Sequence, residues 1–360
     1  VNKNFDGKVK ELEDNEKFNF WVHGSGMHPY FHDIIIPKIK EVKPDIFGIL
    51  LDTFMCFPWL LNLDFAPAKS LFYFPSDGGG TMKDGNFIPG KIGPNLPQGC
   101  ENILKKMDVT VGMAMYAQKH AERYGIKSHY IPHAVEPDIY KPLSPMEREQ
   151  IKAKWGLTGK FIIGVVARNQ GRKMLDRTFM AMRKIADKIP NAILFLHSDK
   201  YDPAAYFNSD IVINELGLQN RVLFSGMRYF KGFNYKQMNE IYNLMDVFLL
   251  GTSGEGFGIP TIEAMSCGIP VAVTDYTTTW EIVERNKAGE SIKVSEEILG
   301  SWNVGRAIMD VDDATEKIIK LYNSPELRRE YGQNGRMAVL RDYNWQTVSS
   351  QWDKLLRSMI

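Results

Sequence analysis

Two glutamates, Glu255 and Glu263, lie in a glycine-rich stretch of the second half of the chain. The stretch reads VFLLGTSGEGFGIPTIEAMSCGIPVAVTD from Val247 to Asp275. Glycines let a backbone approach a ligand closely, and the amide N–H groups at a helix N-terminus attract anions. The glycines alone would fit an ordinary strand-to-helix turn equally well. The two acids, both predicted at the carboxyl end of a sheet, favour a cradle for a phosphorylated or sugar-bearing ligand.

Two cations, Arg168 and Lys173, follow another apolar run, in the sequence FIIGVVARNQGRK. Arg168 comes at the predicted end of a strand, and Lys173 at the start of the next helix. An arginine fork and a lysine point charge could together neutralise a diphosphate. A solvated basic turn is the alternative. The equivalent position of the glutamate loop on its own strand favours the phosphate site.

A dinucleotide-binding fingerprint is a competing interpretation of the glycine loop, because Gly254 and Gly256 precede Asp275 at a suitable distance. The third glycine of that fingerprint would fall at Ile259, however. Glu255 would also bring a carboxylate towards the pyrophosphate. Both departures count against nicotinamide or flavin binding.

Short β-branched or aromatic runs alternate with amphipathic stretches along most of the chain, which predicts an α/β protein with parallel sheets. The predicted strands are Phe18–His23, Asp45–Leu51, Ser70–Phe74, Val109–Met113, His129–Ile131, Phe161–Ala167, Ala192–His197, Val222–Phe224, Val247–Leu250 and Pro270–Thr274. The proline-rich stretch from Pro132 to Pro145 predicts a hinge between two halves. Two separate sheets are favoured over a single eight-stranded barrel.

Composition excludes several classes of protein. The chain has 360 residues, and its 44 Lys and Arg balance 43 Asp and Glu, so no strong positive field would attract nucleic acid. Three cysteines without a C-x-x-C pair argue against a disulfide framework and favour a reducing cytoplasm. No apolar run reaches the roughly 18 residues that a membrane span needs. We therefore expect a soluble cytoplasmic protein.

The stretch EGFGIPTIEAMSCGIPVA resembles the E-x7-E segment of retaining nucleotide-sugar glycosyltransferases of the family 4 type. Three further segments resemble the same family: the Arg168 and Lys173 pair, RVLFSGMRYF with MNEIYNLMDVFLLGTS, and the terminal YNWQTVSSQWDKLL. The resemblance implies the GT-B architecture, in which two Rossmann-like domains with parallel sheets face a cleft. It implies an N-terminal acceptor-side domain over residues 1–143, a donor-binding domain over 144–340, and a C-terminal helix over 341–360 that returns to the first domain.

The resemblance also implies roles for individual residues. Glu255 would meet the donor sugar, while Arg168 and Lys173 would bind the diphosphate. The residues expected to complete the donor site are Gly256, Phe257 and Gly258 through backbone amides, Glu263 at the ribose hydroxyls, and Met227 and Arg228 near the base. The expected reaction moves a sugar from a nucleotide diphosphate sugar to an acceptor with retention of anomeric configuration. A nucleotide-sugar epimerase and a non-catalytic sugar-binding scaffold are the alternatives.

The sequence departs from the family pattern in its first half. The chain begins with a polar stretch where such enzymes have a strand and a glycine-rich loop, so that unit is either missing or reduced. Asp77 stands where the family often has a histidine near the sugar, and it becomes a candidate for that role. The family's glycines before Glu281 are replaced by threonines, and Thr278 with Glu281 predicts a capping box.

No catalytic metal or cofactor is expected. His28 and His32 lack a third clustered ligand, and the Asp310-x-Asp312 pair is better explained as the start of a helix. The acceptor is expected to be a lipid-linked or other small molecule. The aromatic stretch from Phe54 to Phe65 could touch such a lipid or a membrane surface, although core packing is the favoured explanation.

Overall fold

The structure is a computed structural model that describes residues 10–14, 18–22, 34–56, 58–93, 96–97, 99–228 and 231–360, the first two ranges by their backbone alone. The strands are β1 Lys10–Asp14, β2 Phe18–Val22, β3 Ile46–Leu50, β4 Lys69–Phe74, β5 Gly80–Lys83, β6 Asn86–Pro89, β7 Val109–Gly112, β8 His129–Tyr130, β9 Phe161–Val166, β10 Ala192–His197, β11 Val222–Phe224, β12 Val247–Leu250, β13 Val271–Thr274, β14 Gly289–Ile292, β15 Val294–Leu299 and β16 Gly305–Met309. The α-helices are α1 Ile35–Val42, α2 Thr53–Cys56, α3 Cys100–Lys106, α4 Met115–Glu122, α5 Pro145–Lys154, α6 Leu175–Lys188, α7 Ser209–Glu215, α8 Tyr235–Leu244, α9 Ile259–Ser266, α10 Val311–Asn323, α11 Pro325–Asp342 and α12 Trp345–Arg357.

Two parallel sheets organise the two halves of the chain, which confirms the predicted α/β class with two Rossmann-like units. The first sheet has the strand order β3-β4-β7-β8, and the second has the order β11-β10-β9-β12-β13-β14. Every strand pair within both sheets is parallel. Ligand crevices in such sheets open beyond the carboxyl ends of the strands.

Burial on both faces explains why the central strands are continuous apolar runs. All six residues of β10 are buried, as are five of the six in β9. Helix α6 covers one face of this sheet and buries residues at helical spacing, among them Leu175, Phe179 and Met182. Polar side chains mark the start of a helix as well. Ser144 and Glu147 form a capping box at the start of α5.

Among the described residues, three antiparallel strand pairs lie outside the two parallel sheets, and the sequence did not predict these pairings. They are β1–β2, β5–β6 and β15–β16. The strand predicted from Phe18 is present as β2, but it pairs with β1 and does not extend the first parallel sheet. His23, the last residue of the predicted strand, lies outside the described residues.

The C-terminal helix returns to the first half, as expected from the resemblance. Trp352 of α12 packs edge-on against Tyr73 of β4, with ring centroids 5.0 Å apart. Just before α12, the backbone at Asn344 pairs with Val135 in a parallel bridge. The predicted boundary between residues 143 and 144 falls in the segment between β8 and α5. Among the helices of the described residues, none combines the length and apolar character needed to cross a membrane.

Candidate active site at the domain cleft

A cavity of about 970 Å³ lies between the two halves, at the carboxyl ends of strands from both sheets. Its polar and charged lining includes Asp52 after β3, Asp77 after β4, His133 after β8, Arg172 and Lys173 after β9, Ser253 and Glu255 after β12, and Arg306 of β16. The volume falls at the upper end of the range for small-molecule sites. Both parallel sheets therefore point their ligand-binding edges into one space.

Glu255 is buried at the wall of this cavity and accepts three hydrogen bonds on one carboxylate oxygen. Its Oε1 accepts from Lys173 Nζ at 2.6 Å and from Thr252 Oγ1 at 2.7 Å. Arg172 donates to the same oxygen at 3.2 Å. Within the described part of the chain, Oε2 receives no hydrogen bond. One oxygen thus fixes the side chain, and the other stays available to a ligand.

Burial alone would raise the pKa of Glu255, but the charges of Lys173 and Arg172, with the hydrogen bonds from Lys173 and Thr252, lower it to about 2. Burial also lowers the pKa of Lys173, and Glu255 opposes that change. The pKa of Arg172 stays raised because Glu255 and Asp77 outweigh the effect of its burial. The carboxylate is therefore ionised throughout the neutral range.

Unlike Lys173, Arg168 does not form an ion pair with Glu255. Its guanidinium binds the buried carboxylate of Asp202 through Nε at 2.5 Å and Nη2 at 3.1 Å, and it is not among the described side chains that line the cavity. Arg172, which the sequence analysis did not select, takes the place beside Lys173. The two residues belong to a tight 3-10 turn, Gly171–Lys173, ahead of α6, whose start the sequence placed two residues too early.

The glycines of the loop hold close contacts between the halves. A Cβ on Gly254, whose φ is +147°, would come within 1.9 Å of the carbonyl oxygen of Asp77. A Cβ on Gly256 would come within 2.5 Å of the Pro75 ring. Gly258 has a φ of +104° and caps α9, whose first turn contains Pro260 as predicted. The predicted donor-binding residues Gly256, Phe257 and Gly258 all line the cavity.

Asp77, the candidate for the family's histidine position, lines the cavity and is held by Arg306. Arg306 donates through Nη2 to Asp77 Oδ1 at 3.0 Å and through Nη1 to the Asp77 carbonyl. A histidine does line the cavity, but it is His133, which follows β8. Its ring lies edge-on to Phe257 with centroids 5.3 Å apart, and burial lowers its pKa. Because His133 follows a strand of only two residues, no sequence pattern marked it as a site residue.

Glu263 and the predicted base contacts lie away from this cavity in the structure. Glu263 accepts a hydrogen bond from Tyr242 at 2.5 Å, and burial raises its pKa. The guanidinium of Arg228 lies 4.4 Å from the ring centroid of Tyr201, and Met227 is half-buried beside it. Glu263, Met227 and Arg228 are not among the described residues that line the cavity. Their roles at the ribose and the base stay predictions.

The capping box predicted at Thr278 and Glu281 is wrong. Thr278 donates to the carbonyl of Phe257, and Glu281 accepts the N–H of Met115 across the cleft at 2.6 Å. Both side chains therefore form tertiary hydrogen bonds in place of the local bonds of a capping box. The prediction that Asp310 starts a helix is confirmed, because its carboxylate caps α10.

Two sequence candidates, a histidine pair for a metal site and an aromatic stretch for a lipid contact, remain to be placed among the described residues. His28 and His32 lie outside them. No group of three or more His, Cys, Asp or Glu side chains with the arrangement of a metal site occurs in the residues that the structure describes. Most apolar side chains between Phe54 and Phe65 pack in the core of the first half, with Cys56, Leu60 and Phe65 buried. Phe54 itself lines the cavity.

Comparison with known proteins decides the family. Residues 147–338, more than half of the chain, match the family described as Glycosyl transferases group 1. The chain belongs to this family. The matched range contains Lys173, Glu255 and Glu263, and it ends within α11.

Two curated relatives show how much of a longer protein the chain resembles. Mannosylfructose-phosphate synthase of Agrobacterium fabrum is 31% identical over 163 residues, which are 42% of this chain and 34% of that protein. The GDP-mannose-dependent monoacylated alpha-(1-6)-phosphatidylinositol monomannoside mannosyltransferase of Corynebacterium glutamicum is 23% identical over 74% of this chain and 68% of that protein. The chain thus spans about a third of the first relative and two thirds of the second.

Solved structures support the GT-B fold over nearly the whole chain. Sucrose-phosphate synthase of Thermosynechococcus elongatus superposes with a TM-score of 0.73 at 17% identity, covering 97% of this chain and 85% of that one. HepE of Anabaena, solved in complex with UDP-glucose, gives a TM-score of 0.70 at 15% identity over 91% of this chain and 82% of that one. At these identities the likeness concerns the fold alone.

Proposed function

We propose that this protein transfers a hexosyl group from a nucleoside diphosphate sugar to a hydroxyl-bearing acceptor, with retention of anomeric configuration. The observation that carries the proposal is the meeting of Lys173, Arg172 and Glu255 at the glycine loop before α9, inside a cleft between two parallel sheets. Membership of the glycosyl transferases group 1 family supports the same assignment.

The paired cations are suited to the diphosphate of such a donor. Lys173 and Arg172 both form ion pairs with one carboxylate oxygen of Glu255. A diphosphate brings two further negative charges, and charge-assisted hydrogen bonds to it contribute roughly 1.5 to 3 kcal/mol each. The amides at the N-terminus of α9 add partial positive charge. Lys173 would shift towards the phosphate while staying near Glu255.

Charge develops in two places as the glycosidic bond breaks. The bond between the anomeric carbon and the phosphate oxygen breaks, and its electron pair leaves with the nucleoside diphosphate. Lys173, Arg172 and the loop amides stabilise that negative charge, which they are preorganised to meet. The acceptor oxygen bonds to the anomeric carbon on the face the phosphate leaves, and its proton passes to the departing phosphate. Glu255, through Oε2, orients the sugar, whose ring becomes cationic.

Named relatives narrow the choice of donor. One is a GDP-mannose-dependent mannosyltransferase, and HepE was solved with UDP-glucose. UDP-glucose and GDP-mannose are therefore the first donors to test. Transfer without a metal ion is part of the proposal, because Lys173 and Arg172 would supply the positive charge that neutralises the diphosphate. Turnover that persists in excess EDTA is the expected result. A cytoplasmic location also stays a prediction.

Real-time proton NMR of the protein with UDP-glucose or GDP-mannose tests the proposal. Slow transfer to water should release the nucleoside diphosphate and a hexose whose first-formed anomer is the α form, as in the donor. A β anomer formed first would contradict retention. Conversion to a different nucleotide sugar without release would indicate an epimerase. Binding of donor with no change over many hours would indicate a sugar-binding scaffold.

A further inference from the structure

The β15–β16 hairpin reaches from the donor half of the molecule to the first half and covers one side of the cleft. Lys91 of the first half donates its backbone N–H to Glu297 Oε2 of the hairpin at 2.9 Å. The N–H of Gly79 donates to the carbonyl of Gly305 at 2.9 Å. These contacts fix the hairpin across the cavity, and its residues 298–302 contribute to the lining.

An exposed tryptophan stands at the tip of this hairpin. Trp302 adopts a φ of +61°, which is uncommon for a residue with a side chain. One face of its ring stacks on Phe54 of the first half, with centroids 5.5 Å apart, and 56% of the residue remains exposed. Trp302 and Phe54 both line the cavity, beside Leu299. The mouth of the cleft thus presents an aromatic platform built from both halves.

A carboxylate without a hydrogen bond lies beside that platform. Asp52, two residues before Phe54, lines the same cavity and receives no side-chain hydrogen bond from the residues that the structure describes. Burial and the neighbouring charge of Asp77 raise its pKa, while Arg172 and Arg306 oppose the rise. The neighbouring acids Asp77 and Glu255 do accept side-chain hydrogen bonds. Arg306 donates to Asp77, and Lys173 donates to Glu255. Asp52 is left to accept hydrogen bonds from a ligand.

We propose that Trp302 and Asp52 form the acceptor subsite and that it takes an uncharged, polyhydroxylated ring, such as a sugar or a cyclitol. The proposal rests on the proposed function, since it assigns the second substrate of the same reaction. The C–H face of the ring stacks on the exposed indole, while adjacent hydroxyl groups donate to the carboxylate of Asp52. A hairpin of the donor half thereby helps to select the acceptor.

Charge and shape together favour such a ring over other ligands. An aromatic face beside a carboxylate suits a molecule with an apolar face and hydroxyl donors at its rim. A phosphorylated acceptor would bring negative charge towards Asp52, which forms no ion pair with the described cations, and like charges at short range repel. A simple alkyl chain would leave the half-buried Asp52 without a hydrogen-bond donor. The uncharged ring satisfies both groups.

Saturation-transfer NMR with four small probes tests the subsite: methyl α-glucoside, methyl α-mannoside, N-acetylglucosamine and myo-inositol, each with and without UDP or GDP. At least one probe should receive saturation in the wild-type protein. Trp302→Ala and Asp52→Asn should each weaken its binding at least tenfold. Trp345→Ala is the matched control, because Trp345 is similarly exposed, at 50%, and does not line the cavity. This control should bind as the wild type does.

Two further probes define the class of acceptor. Glucose 6-phosphate should bind more weakly than methyl α-glucoside, and equal or tighter binding would overturn the uncharged class. Octyl and methyl glucoside should lose affinity together in Trp302→Ala. Equal affinity of the two for the wild type would identify a free ring as the acceptor, and tighter binding of the octyl form would identify the headgroup of a lipid.

Calorimetry with UDP and GDP separates failure of this subsite from failure of the proposed function. Trp302→Ala and Asp52→Asn should bind the nucleoside diphosphate as the wild type does, which also shows that they fold. If the nucleotide binds but no ring does, or if both variants bind the ring unchanged, the acceptor subsite is refuted while the donor site stands. If neither nucleotide binds the wild type, the proposed function itself fails.

Discussion

Glu255 combines burial with full ionisation, and this combination depends on its neighbours. A buried carboxylate is strongly destabilising unless it is paired and hydrogen-bonded. Lys173 meets that need at 2.6 Å, and Thr252 adds a second bond to the same oxygen. The arrangement keeps opposite charges close together in a buried wall of the cavity. It leaves the cations able to turn to a phosphate, and one carboxylate oxygen open to a sugar.

Alanine variants of the three neighbouring cations should separate their roles. Arg172→Ala and Lys173→Ala should each weaken binding of the nucleoside diphosphate at least tenfold, about 1.4 kcal/mol, because both face the cavity. Arg168→Ala should have a smaller effect, since Arg168 is bound to Asp202. Titration calorimetry provides the measurement. A loss in Arg168→Ala as large as the other two would show that Arg168 leaves Asp202 for the phosphate, as the family resemblance implied.

The sequence could identify the motif but could not choose among these cations. The E-x7-E spacing and the Lys173 position are local patterns, and the structure places Glu255 and Lys173 together. The choice between Arg168 and Arg172 depends on Asp202, which is 34 residues away in the chain. Likewise, the side chain of Glu281 could reach either Thr278 or a distant amide, and no local pattern says which. In both cases, a residue distant in the chain determines which partner the side chain has.

At the scale of elements, the loop between β12 and α9 serves two purposes. It lines the cavity with Gly256, Phe257 and Gly258, and it also forms a close contact between the two halves of the protein. Gly254 makes the second purpose possible, because its missing side chain admits the Asp77 carbonyl. The Ser253 carbonyl of the same loop accepts the N–H of Ala307 in β16 at 3.2 Å. The loop, the first half and the β15–β16 hairpin therefore form one connected wall.

Gly254→Ala should destabilise the protein by about 2 kcal/mol or more, because the new Cβ would overlap the Asp77 carbonyl at 1.9 Å. Gly159→Ala is the matched control. Gly159 has a positive φ of +71° but open space around its Cβ position, so it reports backbone strain alone, about 1 kcal/mol. Thermal unfolding of both variants provides the measurement. Equal losses would mean that the halves do not make this close contact.

The buried apolar strands were predictable and the hairpins were not. Strands β9, β10 and β12 are continuous apolar runs because helices bury both of their faces, and such runs stand out in a sequence. The β15 strand, VSEEIL, is as long as β9 and β10, but it is half polar and mostly exposed. Its pairing with β16 and its contact with the first half give no periodic signal. The hairpin that carries Trp302 therefore became visible only in the structure.

Across the whole molecule, the buried acid Glu281 is a further link between the two halves. Glu281 Oε2 accepts the N–H of Met115 at the start of α4, and its Oε1 is buried without a hydrogen bond among the described residues. Burial raises the pKa of Glu281 to about 8, although the bond from Met115 and the charge of Arg285 oppose the rise. Glu281 is therefore protonated in the folded protein at neutral pH.

This raised pKa predicts that stability falls as pH rises from about 5 to 8. Between the ordinary pKa of a glutamate and the folded value, the folded chain holds a proton that the unfolded chain has released. Stability is then lost with increasing pH, by up to ~1.4 kcal/mol per pH unit for one proton, until the folded pKa is passed. Glu281→Gln keeps the shape and an acceptor for Met115 but cannot titrate.

Calorimetric melting temperatures between pH 5.5 and 8.5 test this prediction. The wild type should lose stability over the range, and Glu281→Gln should lose distinctly less. Parallel profiles of the two proteins would show that Glu281 does not titrate there.

Donor turnover by Glu255→Gln tests whether Glu255 acts on the sugar during transfer. The measured quantity is release of nucleoside diphosphate from UDP-glucose or GDP-mannose, with Glu149→Gln, an exposed position on α5, as the matched control. We expect measurable release by the wild type, an unchanged rate in Glu149→Gln, and a kcat at least 10²-fold lower in Glu255→Gln, about 2.7 kcal/mol. Affinity for the nucleoside diphosphate should not fall, because Lys173 and Arg172 remain and lose a competing carboxylate. A wild-type kcat in Glu255→Gln would refute this role of Glu255, and no release from either donor by the wild type would refute the transfer reaction itself.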